Sequence, residues 1–158
     1  KKGIYIAERG AAILLKKIIH EVDPGFLDLR SPCGAGIGQL AYFYDGSVYC
    51  CDEGRMVEND LFVLGNVYES KYEDITESER TKTLVTASTL DNFACDECVY
   101  KTYCGTCPVL NYVLYNNLFP NIRATDKCKI HEAMLDYLFL RIKEPEVLDI
   151  FKKWITNT

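Results

Sequence analysis

The sequence predicts a small α+β domain in which a β-hairpin and irregular cysteine-rich, metal-binding loops are bracketed by α-helices. Three observations predict it: apolar residues at helical spacing toward both ends, two β-prone runs around Asp45-Gly46, and four cysteines within the thirteen positions of "CDECVYKTYCGTC".

Leu14, Leu15, Ile18, Ile19 and Val22 recur at helical spacing, and "DPG" at 23–25 ends that helix with a proline that cannot continue it. "SPCGAGIG" follows, its three glycines permitting tight backbone turns. The runs in "QLAYFYDGSVYCC" flank a two-residue hairpin signal. With Asp45-Gly46 as the turn, Tyr42 faces Tyr49, Ala41 faces Cys50 and Leu40 faces Cys51. Strand alternation then sends Cys50 and Cys51 to opposite faces. Residues 52–80 read as loop, with a short strand in "LFVLGNVYES", and 80–92 as a short helix. An apolar helix runs from Pro108 to Asn117, and Thr125 or Asp126 caps the next one, which carries Cys128 in its first turn. Leu135, Leu138, Phe139 and Ile142 form its core stripe. "EPE" at 144–146 restarts a last helix bearing Val147, Leu148, Phe151, Trp154 and Ile155.

The composition bounds the function. At 158 residues, 48% of them hydrophobic, the chain has material for one core. A net charge of -5 without a basic cluster argues against nucleic acid as a partner. Apolar runs such as "AAILL" fall far short of the roughly 18 residues of a membrane span. No charged-then-apolar signal opens the chain, so a cytoplasmic location is expected. The opening "KKGIYIAERG" reads as a cut through a longer protein.

The eight cysteines stand at 33, 50, 51, 95, 98, 104, 107 and 128. Without a secretory signal, clustered cysteines point to metal before disulfides. Two Cys-x2-Cys pairs suit zinc, since four thiolates complete a tetrahedron. The five-residue link between them is short for zinc, however, and Cys33, Cys51 and Cys128 remain. Seven or eight thiolates at irregular spacing suit two iron–sulfur clusters better. Cys50, in apolar company on its face of the hairpin, is expected to be packing. Its replacement should spare both centres.

These residues resemble the SPASM domain, the C-terminal extension of radical S-adenosylmethionine enzymes that modify ribosomally made peptides and proteins. The pattern begins at Cys33, runs twelve residues to Gly46 and four more to Cys51, continues through Cys95, Cys98, Cys104 and Cys107, and ends at Cys128. "CGTC" has two residues between its cysteines where the family usually has three. "SPCGAGIGQLAY", "CDEGRM", "LGNVYES" and "CGTCP" are similar, more narrowly, to the maturase of the His-Xaa-Ser peptide system. The resemblance implies two [4Fe–4S] clusters, the first held by Cys33, Cys51 and Cys107 and the second by Cys95, Cys98, Cys104 and Cys128. The first then lacks a fourth protein ligand; an open or non-cysteine site is expected, with Cys50 as the alternative.

It further implies an upstream radical barrel as partner, with residues 1–32 a helical lead-in, 33–142 the iron–sulfur domain and 143–158 a C-terminal helix. A ribosomally made peptide or protein would be the substrate. S-adenosylmethionine would bind only in the full-length enzyme, because the Cys-x3-Cys-x2-Cys triplet its chemistry needs does not occur among these residues. Alone the chain is expected to be inert. Asp52, directly after Cys51, matches an aspartate thought to act as base in the related anaerobic sulfatase maturases. Its other reading is an exposed carboxylate balanced by Arg55. His20 and His131 have no second histidine at metal-binding spacing. The 11 tyrosines are expected to serve core and rim packing. A zinc-stabilised interaction domain is the alternative function.

Overall fold

The computed structural model describes residues 5–91 and 93–156. Residues 1–4, 92 and 157–158, which include the start of the lead-in and the ends of two expected helices, lie outside the described residues. The chain divides into two compact units, Leu27–Ile122 and a second one made from the segments on either side of it.

The terminal unit is helical. Helix α1 (Arg9–His20) opens on Glu8, whose carboxylate accepts the Gly10 N–H at 3.0 Å. It ends at Glu21, which takes φ 55 and turns the chain away. Val22, expected on the stripe, therefore falls outside the helix and is exposed. Helix α7 (Asp126–Arg141) starts at Thr125, whose hydroxyl accepts the Cys128 N–H at 3.2 Å, as an N-cap should. Helix α8 (Pro145–Thr156) packs on α1, and so does α7. Ala12, Leu15, Leu135, Leu138, Phe151 and Ile155 are buried. Helical periodicity located all three elements because each buries one stripe.

The middle unit holds the sheet. Strands β1 (Ala41–Tyr42), β2 (Ser47–Tyr49) and β3 (Val63–Asn66) pair antiparallel in that order. Ala41 faces Tyr49 and Tyr42 faces Val48, one residue out of the expected register. The turn explains the shift. Gly46 donates its N–H to Phe43 O at 3.1 Å, Phe43 donates to Ser47 O at 2.9 Å, and Gly46 has φ 87. The loop is thus Tyr44-Asp45-Gly46, a three-residue connection with a left-handed glycine as bulge, rather than a two-residue turn.

Residues 52–80 are more ordered than the expected loop. Helix α2 (Asp52–Val57), a 3-10 turn at Asp60–Phe62, β3, and α3 (Tyr72–Thr76) fill most of that stretch. Helix α4 (Glu79–Ala87) follows, then the four-residue α5 (Phe93–Asp96), which the sequence pattern did not indicate, and α6 (Pro108–Tyr115). The core gathers Val48, Cys50, Phe62, Leu64, Ile75, Leu84 and Val109. Phe62 is wholly buried and meets Tyr112 edge-on at 5.6 Å, which contributes about 2–3 kcal/mol of transfer free energy. No helix among the described residues is long and apolar enough to cross a membrane.

Candidate metal centre

All eight cysteines lie among the described residues. Four of them meet in the core of the middle unit. Cys33, Cys50 and Cys51 belong to it outright, and Cys107 packs against it.

Each of the four is placed by a separate device. The Cys33 N–H donates to Ser88 Oγ at 3.2 Å, and Ser88 is the buried end of α4. Two residues beyond Ala35's neighbour Gly34, the loop is tied again, because Gly36 N–H donates to Cys50 O at 2.8 Å. Cys50 itself donates its N–H to Phe62 O at 3.0 Å, extending the pairing beyond the sheet. Cys51 leaves the strand and becomes the N-cap of α2, and Cys107 is the N-cap of α6 with Pro108 in the first turn. Helices α2 and α6 contact one another.

The sulfurs at 33, 51 and 107 share a feature: each accepts a backbone N–H. Ala35 donates to Cys33 Sγ at 3.4 Å, Gly54 to Cys51 Sγ at 3.3 Å and Leu110 to Cys107 Sγ at 3.4 Å. At Cys51 a hydrogen bond from Cys50, opposed by burial and aided by the Gly54 N–H, brings the thiol down. The partner moves the other way. Donating to Cys51, and buried among the sulfurs of Cys51, Cys33 and Cys107, the Cys50 thiol is pushed far up.

Cys50 and Cys51 therefore do not point to opposite faces. Their sulfurs lie 3.8 Å apart: β2 ends at Tyr49, after an irregularity in its ladder with β3, and Cys51 caps α2 instead of continuing the ribbon. Both are buried, at 0% and 4% exposure. Gly54 makes room for this, since a Cβ there would stand 2.9 Å from Cys50 Sγ.

The other cysteines occupy a run of tight turns. Cys95 is buried in α5 and its carbonyl accepts the Cys98 N–H at 3.1 Å. Cys98 O accepts from Lys101, and Cys104 ends a 3-10 turn over Lys101–Tyr103. The Lys101 ammonium bridges Asp91 and Asp96, each at 2.9 Å, and these hydrogen bonds push its pKa up to about 12. Cys128 sits in the first turn of α7, in the other unit. Among the described residues no three Cys, His, Asp or Glu side chains are gathered tightly enough to hold a single ion. A four-iron cube spaces its thiolates more widely than one ion does, each sulfur on its own corner.

Asp52 opens α2 with its carboxylate 71% exposed and held by Arg55, whose Nη2 lies 2.9 Å away. His20 ends α1 at an exposed position, and His131 lies within α7. Packing accounts for Tyr49 and Tyr112 but not for Tyr44 and Tyr68, which are 89% and 83% exposed. Sequence reasoning missed the Cys50–Cys51 contact, which arises because β2 ends at Tyr49 and Cys51 caps α2.

No curated protein matches the chain. A family model does match, over residues 33–108, from Cys33 to just beyond Cys107. The family is SPASM, an iron–sulfur cluster-binding domain, so residues 33–108 are similar to that domain.

Proposed function

We propose that the chain is the auxiliary-cluster portion of a radical S-adenosylmethionine enzyme that modifies a ribosomally made peptide or protein, and that it holds two [4Fe–4S] clusters. The donor set suits them: seven thiols, three of them buried and the other four part-buried, with Cys33, Cys51 and Cys107 accepting backbone N–H bonds. Cys33, Cys51 and Cys107 would hold the first cluster, and Cys95, Cys98, Cys104 and Cys128 the second. When bound, such clusters supply one-electron transfer.

The chain's own residues then have defined tasks. Ala35, Gly54 and Leu110 N–H groups stabilise thiolate charge, and donors to ligand sulfurs are a lever on potential. Val48, Phe62 and Leu64 keep water from the first site. Asp52 stands at the edge of that site, exposed and paired with Arg55, where it can hold or take a proton from a substrate. The upstream barrel would supply the radical, and S-adenosylmethionine would bind there.

The observation that carries this reading is the meeting of Cys33, Cys51 and Cys107 in one core, though up to 74 residues separate them in sequence. One distance favours a second reading, a zinc-stabilised interaction domain: 3.8 Å between Cys50 and Cys51 sulfurs equals the spacing of two thiolates on one zinc with bonds of about 2.3 Å. Iron, acid-labile sulfide and zinc measured on anaerobically prepared protein separate them. About eight irons with broad visible absorbance is expected. A colourless protein with one or two zincs would overturn the proposal.

A further inference from the structure

Eight cysteines and two four-iron cubes match in number, since each iron of a cube takes one thiolate. Assigning Cys95, Cys98, Cys104 and Cys128 to one cube leaves Cys33, Cys51, Cys107 and Cys50. We propose that Cys50 is the fourth thiolate of the first cluster, which closes that cluster instead of leaving an iron open. This rests on the two-cluster reading above.

The placement of Cys50 carries the argument. It is wholly buried, and it belongs to the same core cluster as Cys33 and Cys51, against which Cys107 packs. Its backbone is the joint of the site, taking Gly36 N–H from the Cys33 loop on its carbonyl and giving its own N–H to Phe62. Its sulfur lies 3.8 Å from that of Cys51, a proposed ligand of the same cluster, a closeness that a cysteine serving only as a small hydrophobe does not need.

Two ligands on different irons stand farther apart than 3.8 Å. Rotation about one Cα–Cβ bond moves a sulfur by about 3 Å between staggered positions, enough to part the pair.

The test is oxidation of the anaerobically reconstituted chain with a mild oxidant, read by iron content and by electron paramagnetic resonance. Wild type should keep all its iron. Cys50→Ala should release about one iron of eight and show the signal of a three-iron cluster, because a corner without a thiolate is lost first. Cys50→Ser, closer in size and still able to bind iron through oxygen, should fall between them, and it decides the matter if circular dichroism shows the alanine variant unfolded. Cys50→Ala retaining all its iron with no three-iron signal would overturn the proposal, as would Cys50→Ser indistinguishable from wild type. Wild type that takes up no iron would instead overturn the two-cluster reading beneath it.

Discussion

Adding a methyl group at Gly54 tests whether the Cys50 sulfur is seated against α2. A Cβ there would stand 2.9 Å from Cys50 Sγ and 3.2 Å from Phe62 Cβ. Ordinary contact is about 3.5–4.0 Å, so the sulfur must retreat by about 0.8 Å. Overpacking of this kind costs about 1–3 kcal/mol, while alanine is better than glycine in a helix by about 0.5–1 kcal/mol. Gly54→Ala should therefore cost about 1–2 kcal/mol when Cys50 is present. With Cys50→Ala already made, the sulfur is gone and only the Phe62 contact opposes the gain, so the same change should be near neutral. Urea unfolding of the four proteins, metal-free and kept reduced, followed by circular dichroism, gives a coupling of about 1–2 kcal/mol. An identical cost of Gly54→Ala in both backgrounds would refute the reasoning, since the methyl group would then be meeting something other than the sulfur.

Removing metal should loosen residues 93–107, where a four-residue helix and a 3-10 turn offer little order of their own; hydrogen exchange there should quicken at least about tenfold on chelation, and unchanged rates would count against metal-dependent order. Lys101 has its pKa raised in the fold from 10.5 to about 12, so its bridge to Asp91 and Asp96 stabilises fully below the unfolded value and fades as pH rises through 12. The difference in urea midpoint between wild type and Lys101→Met should shrink across that window, and a difference constant through it would contradict the assignment.

What the sequence revealed follows from which interactions leave a periodic or compositional trace. The terminal helices were legible because Leu135, Leu138, Phe151 and Ile155 each bury on one stripe, and Thr125 is a conventional cap. Asp45-Gly46 located the hairpin but not its register, since the same dipeptide suits a two-residue turn and a three-residue loop closed by a left-handed glycine. The meeting of Cys50 and Cys51 left no such trace, since it follows from the end of β2 at Tyr49 and the cap of α2 at Cys51. Helix α2 escaped notice because its N-cap is a cysteine, whose sulfur does the task usually given to serine or aspartate. The grouping of Cys33, Cys51 and Cys107 was implied by the family resemblance alone, while the Ser88, Gly36 and Leu110 bonds that seat them are long-range or conformational and leave no sequence signature.

The two sets of sulfurs also differ in how far the chain must travel to bring them together. Cys95 and Cys104 are 9 residues apart, whereas Cys33 and Cys107 are 74 apart. Loop closure across the longer span costs about 2 kcal/mol more in chain entropy. Were the proposed clusters to form, the three sulfurs at 95–104 would be the first to gather, while Cys128 and the set around Cys51 would join only once the chain had folded.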